Sequence, residues 1–106
     1  MIDVAIKITV PSEKKKEVFQ TFTALLAQIR REQGCLSCNC YVDLEDENSI
    51  YFKEEWQTRG DLNTHLRSVH FGVLLGATKL LKIEPEIRIY TITATAGAEA
   101  IKAARA

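Results

Sequence analysis

Three residues with chemical potential fall close together in the second half of the chain: Glu54, Trp56 and His65. The run from Ser49 to Gln57 reads as a strand, in which successive side chains take opposite faces. If Ile50, Phe52 and Trp56 face a core, period two puts Glu54 on the same face, while Tyr51, Lys53 and Glu55 point the other way. A carboxylate among apolar neighbours is costly unless it is hydrogen-bonded, and otherwise it holds its proton to a higher pH. Its nearest candidate partner is His65, three residues after Leu62 and one before Leu66, on the border of an apolar helical stripe. A Glu54–His65 pair beside the Trp56 ring would be a compact acid–base device. The same pair would serve equally well as a lock between a helix and a sheet. His70 lies five positions further on, about 140° round a continuous helix, so the two histidines do not form the one-faced pair of a zinc motif. It reads as a cavity-edge or interface residue.

The cysteines Cys35, Cys38 and Cys40 raise the question of a metal or redox centre. Tetrahedral zinc needs ligands converging from a turn, whereas Leu36 to Leu44 alternates like a strand. On that alternation Leu36, Cys38, Cys40, Val42 and Leu44 share one face and Cys35 points away from the other two. Cys38 and Cys40 would stand about 6.5–7 Å apart, at or past the limit for an unstrained disulfide. No metal site is expected, and the three are read as small hydrophobes filling a strand.

The elements that must position these residues are legible from periodicity. Residues 2–10 alternate strictly, and Pro11 ends the run. Ser12 is placed to cap a helix carrying Val18, Phe19, Phe22, Leu25, Leu26 and Ile29 up to Gly34, a left-handed stop. After the cysteine strand, Glu45 to Asn48 makes a polar hairpin turn into the strand of Glu54. Thr58 with Asp61 resembles a capping box and opens a short helix bearing Leu62, His65, Leu66 and Val69, followed by further helical turns through Phe71, Leu74, Leu75 and Leu81. Pro85 leads into a last strand, about Glu86 to Thr95. The order β-α-β-β-α-β predicts an α+β, ferredoxin-like fold, one antiparallel sheet with helices on one face, over residues 1–96. Residues 97–106 form an Ala-rich tail with little to bury beyond Ile101, either frayed or docked on a partner. The uncovered sheet face would carry Tyr41, Tyr51, Tyr90 and Ile92 among Asn39, Lys53, Glu55 and Arg88. That mixture suits a homodimer joined through sheet faces, with further pairing into tetramers left open.

Composition narrows the function classes. Fourteen basic and fourteen acidic residues among 106 cancel, so no global field draws the chain to nucleic acid or to an anionic membrane. The order of elements is shared with an RNA-recognition module, but the Gly-Phe-Gly-Phe type of signature is missing. Asp3 and Lys7 interrupt the N-terminal apolar run, which fits neither a signal peptide nor a membrane span, so a cytoplasmic protein is the default expectation.

Taken together, Glu32-Gln33-Gly34-Cys35-Leu36-Ser37, then Glu54-x-Trp56-x-Thr58, then Leu62-x-x-His65-x-x-Ser68-x-His70-Phe71 resemble the antibiotic biosynthesis monooxygenase family over nearly the whole chain through Thr95. The resemblance implies a homodimeric α+β barrel, a pocket between sheet and helices in each subunit, and, in some members, oxidation of quinols or polycyclic phenols by O2 without metal or flavin. No cofactor is therefore expected, and the implied ligand is a small aromatic molecule. Deprotonating a phenol or quinol makes an electron-rich anion that can reduce oxygen, so the protein must supply a base, a flat apolar slot and exclusion of water. On this reading His65 is the base, oriented by Glu54, and Trp56, Phe52, His70 and Phe71 contact the ring. Haem-degrading relatives pair the strand-end Trp with an Asn on the first strand and a later helical His. Here Ile6 and Lys7 stand where the Asn would fall, and Leu74 to Ala77 contains no His, so that activity is not expected. A non-catalytic small-ligand-binding homodimer, or an isomerase of a small signalling sugar, is the alternative. Lys7, Arg67 and Lys79 could neutralise a phosphate, though their spacing forms no phosphate loop.

Overall fold

The computed structural model describes residues 1–106. Strand β1 (Ile2–Thr9) leads through a single 3-10 turn (Ser12–Lys14) into α1 (Lys15–Ile29). Strands β2 (Cys35–Val42) and β3 (Ser49–Trp56) form a hairpin, followed by α2 (Arg59–Leu66), α3 (Val69–Lys79), β4 (Glu86–Thr91) and α4 (Ala98–Ala104). The sheet order is β2-β3-β1-β4, and every pairing is antiparallel. This is the expected ferredoxin-like α+β arrangement.

The strict alternation of β1 explains its central position. Ile2, Val4, Ile6 and Ile8 are all buried, and they meet the inward side chains of β3 in register, Val4 opposite Glu54 and Ile6 opposite Phe52. From α1, Val18, Phe22, Leu25 and Ile29 close over them, whereas Phe19 stays at the rim, 41% exposed. Covering of the sheet stops before β4. Ile87 and Ile89 pair with Ile6 and Val4 and so share the helix-side face, yet every residue of β4 is exposed.

Local chemistry corrects several expectations. Ser12 does not cap α1. Its hydroxyl donates to Asn48 Oδ1 (3.4 Å), and the chain enters the helix through the 3-10 turn after Pro11 instead. The helix also ends earlier than expected, at Ile29. Gly34 closes the turn that follows, with φ +81°, and its carbonyl accepts from the Gln57 backbone N–H (2.8 Å). At the start of β2 a bulge between Cys35 and Ser37 displaces Leu36, which is 53% exposed. The bulge reverses the expected orientation of Cys35: it lies opposite Trp56, on the same inward side as Cys38 opposite Glu54 and Cys40 opposite Phe52. An extra residue in one strand shifts the pleat by one, which simple alternation cannot register. Val42 and Leu44, expected inside, lie at and beyond the strand's open end and are exposed. All three cysteines are free, and burial raises the thiol of Cys40 to about 11, so it stays protonated and inert.

Thr58 caps α2, accepting from the Asp61 N–H (3.1 Å) and donating its hydroxyl to Asp61 Oδ2 (2.9 Å). The shorter acid thus reaches the Thr58 hydroxyl where a glutamate would reach backbone. The helical region after it is two helices, not one turn continuing into the next. Ser68 is extended and its hydroxyl accepts from the Phe71 N–H (3.2 Å), restarting the chain as α3 and leaving Val69 on the outside, 81% exposed. The last strand ends at Thr91 rather than Thr95, and the tail forms a helix with no buried residue.

The Gly34 turn ties the end of α1 to the end of β3, and it admits no side chain: a Cβ there would collide with the Asp61 carboxylate while holding a left-handed backbone. Gly34→Ala is therefore expected to lower the stability by about 1–3 kcal/mol in urea unfolding. A loss below about 0.5 kcal/mol would show that the turn relaxes freely.

Candidate functional site

Period two in β3 brings Phe52, Glu54 and Trp56 to the inward face, where all three are fully buried. The capping of α2 by Thr58 sets that helix's rotation so that Leu62 and His65 both point into the core. His65 Nε2 donates to Glu54 Oε2 (3.1 Å), and the other carboxylate oxygen of Glu54 accepts from the Trp56 indole N–H (2.9 Å). The imidazole stacks on the indole with ring centroids 4.5 Å apart and 27° between planes, and the edge of Phe71 closes the remaining side at 5.2 Å.

A further residue, to which hydrophobic periodicity gives no role, completes this cluster. Glu32, in the turn between α1 and β2, accepts from His65 Nδ1 at 3.1 and 3.0 Å. The imidazole is thus held between two carboxylates. A neutral ring has a single N–H and could satisfy one of them; two N–H donors require imidazolium. Burial by itself pulls the pKa of His65 down, but the hydrogen bonds and charges of Glu54 and then Glu32 outweigh it, and the net shift is upward. An imidazolium on an indole face gains cation–π attraction as well. With one positive and two negative members, the triad carries a net charge of −1 when both carboxylates are ionised.

Glu32 is the member that reaches the surface. Its side chain is 18% exposed, whereas those of His65 and Glu54 are wholly enclosed. His70, in the first turn of α3, is half-exposed and brings Nδ1 to 3.7 Å from Glu32 Oε2. The two histidines therefore converge on one carboxylate from separate helices. Of the residues expected at the site, Glu54, Trp56, His65 and Phe71 stand together, and His70 joins them through Glu32. Phe52 lies apart, packed edge-on against Phe22 at 5.5 Å in the main core.

Two cavities open elsewhere on the sheet, and neither is lined by Glu54, Trp56 or His65. One cavity of about 280 Å³ lies between α1 and the β2–β3 hairpin and is lined by Phe19, Phe22, Thr23, Leu26, Cys40, Val42 and Ile50. Another, of about 340 Å³, opens on the far face of the sheet among Asp3, Ser37, Asn39, Tyr41, Lys53 and Glu55. Asn39 and Tyr41, expected on the uncovered sheet face as part of a dimer contact, thus line a polar cavity there. There Asn39 accepts from Arg30 (3.1 Å) and Ser37 donates to Glu55 (2.6 Å).

The raised pKa of His65 fixes the sign of a pH effect. Its stabilising contribution is complete below the ordinary value of 6.5, where the unfolded imidazole is protonated too, and is lost as pH rises through the higher native value. His65→Gln should cost about 3–5 kcal/mol at about pH 6, because it strands two carboxylates, and the difference from wild type should shrink as the pH is raised. Urea midpoints of both proteins from about pH 6 to about pH 9 give this difference directly. A gap that widens with pH would show that His65 is buried neutral.

The family model described as antibiotic biosynthesis monooxygenase matches residues 1–74. An uncharacterized protein of Synechocystis sp. is 34% identical over 95 residues, which is 89% of this chain; the chain spans only 65% of that longer relative. A conserved protein from Methanosarcina mazei Go1 has a crystal structure that superposes with a TM-score of 0.79 at 33% identity, covering 84% of this chain and 89% of its own. A Deinococcus radiodurans structure, 21% identical, shares the fold with a TM-score of 0.85 over 92% of this chain and 97% of its own. The chain belongs to the antibiotic biosynthesis monooxygenase family.

Proposed function

We propose that this protein is a cofactor-independent monooxygenase that oxidises a small aromatic quinol or phenol with O2, working as a homodimer joined through the open faces of its sheets. The observation that carries the reading is the buried carboxylate–imidazolium–carboxylate triad. Its net charge of −1 lets it take up one proton and become neutral, which in a water-poor interior is favourable. A quinol that gives up that proton becomes an anion able to pass an electron to O2. The radical pair recombines at a ring carbon, and loss of water from the hydroperoxide leaves a hydroxylated quinone. One oxygen atom enters the ring, the other leaves as water, and the substrate supplies all the electrons. The proton taken up by a triad carboxylate returns to the peroxide, while His65, already cationic, holds both carboxylates in place. Trp56, Phe71 and His70 shape the apolar surroundings. The dimer is supported by the open face, where Tyr41 and Tyr90 stand about half-exposed and Tyr41 lies opposite Tyr51.

A second reading, a small-ligand-binding dimer without catalysis, draws on the complete enclosure of Glu54, Trp56 and His65 and on the separate apolar cavity beneath α1. There the triad only locks α2 to the sheet. Oxygen-electrode assays with a panel of quinols separate the two. Uptake above the spontaneous rate is expected for at least one quinol, with a loss of about 10²–10⁴-fold in His65→Ala. Trp56→Phe should cost less. Spontaneous rates throughout the panel would leave the binding protein as the better account.

A further inference from the structure

The triad has one outlet. His65 and Glu54 are sealed by Trp56, Phe71 and the strands on either side, with Val4 and Cys38 flanking Glu54 in register. Both ring nitrogens of His65 are already engaged, so the imidazole has no lone pair to offer a ligand. Glu32 differs in each respect: its carboxylate is partly exposed, it touches His65 through both oxygens, and one of those oxygens is also within ion-pair range of the half-exposed His70.

We propose that Glu32 is the proton port of this site: protons pass between the buried His65–Glu54 pair and the outside only through the Glu32 carboxylate, with His70 at its outer rim. This rests on the proposed oxygenase reading for its chemical meaning, since the group that meets a phenolic or quinolic hydroxyl is then Glu32 and not His65. In the transfer, the substrate O–H bond breaks as an O–H bond forms on Glu32. The triad goes from a charge of −1 to neutral, and the substrate leaves as its oxyanion. His65 and Glu54 are positioning residues, which hold Glu32 in place and set its readiness to accept. The charged and titratable groups around the port come from every neighbouring element: His65 and Asp61 from α2, His70 from α3, Cys35 at the head of β2, and Glu54 from β3 behind the imidazole. Arg30, on the same turn, is committed elsewhere, donating Nε to the Cys38 carbonyl (2.9 Å). Beyond His65 at 3.0 Å, the side-chain nitrogen within ion-pair distance of Glu32 is His70 Nδ1 at 3.7 Å.

The test uses the full chain and reads the port apart from any turnover. Solvent exchange of the His65 ring N–H protons, followed by 15N-edited NMR, should slow at least tenfold in Glu32→Gln, whose amide accepts the hydrogen bond but cannot relay a proton. Glu32→Asp should fall between the two and serves in its place if Glu32→Gln fails to fold. Exchange unchanged within twofold in these variants overturns the port, whatever the enzyme does. If a quinol is turned over by wild type, Glu32→Gln should lower kcat about 100-fold or more with little change in KM. Retention of kcat within threefold also overturns it. Slowed exchange in a protein that oxidises no quinol would keep the port and discard the oxygenase reading.

Discussion

A positive charge buried between two negative ones is the interaction on which this small domain depends. Taking an ion out of water costs several kcal/mol even after relaxation, and attraction offsets that only when partners and geometry are complete. Here completeness draws on three separate parts of the chain: the turn after α1 supplies Glu32, β3 supplies Glu54, and α2 supplies His65. The Trp56 N–H takes the remaining oxygen of Glu54, and no buried side-chain nitrogen or oxygen in the protein lacks a hydrogen-bond partner. A change in the angle of any one element would leave a charge enclosed and unpaired. The triad therefore acts as a check on the assembled fold as much as a site within it.

Much of the architecture was legible because it rests on local periods. Glu54 could be placed inside from its neighbours Phe52 and Trp56 alone, and Thr58 with Asp61 announced the start of α2. His65 followed from the apolar stripe of the same helix. Glu32 was not accessible by such means. It belongs to no periodic run, it lies in an irregular turn, and its partner is 33 residues away. Two signals existed: Glu32 opens the family-like run Glu32–Ser37, and Gly34, two residues later, marks a tight turn, which the structure ties to the end of β3. Cys35 was misplaced for a related reason. A bulge moves one residue out of the ladder without any mark in the hydrophobic pattern, and every face assignment before it inverts. The separation of α2 from α3 was hidden because the apolar positions on both sides of Ser68 still look continuous.

The two faces of the sheet divide the work unequally. The inner face holds the core and the triad, but its cover ends at β1. Ile87 and Ile89 on β4 remain open on that side, 46% and 39% exposed, while Arg88 and Tyr90 are exposed on the other. A strand exposed on both faces and along one edge is a liability for a lone monomer. The homodimer proposed above would relieve it together with the aromatic outer face, and it would give the isolated helix α4 something to rest against. Stability and assembly would then be linked through β4, at the opposite edge of the sheet from β2.

The second carboxylate is what separates a lock from a device. Joining α2 to β3 requires only one acid for one imidazole, and a His65–Glu54 pair with the Trp56 N–H would already be satisfied on the sheet side. Adding Glu32 makes the cluster net negative, which a purely structural role would be expected to avoid, since an excess buried charge lowers stability. The excess is tolerable because Glu32 reaches solvent, and that same exposure makes it the place where the charge can be used. Charge balance and accessibility thus point to the same oxygen atoms. In the proposed function, the energetic cost of an unpaired negative charge at the mouth becomes the driving force for drawing a proton from a bound hydroxyl.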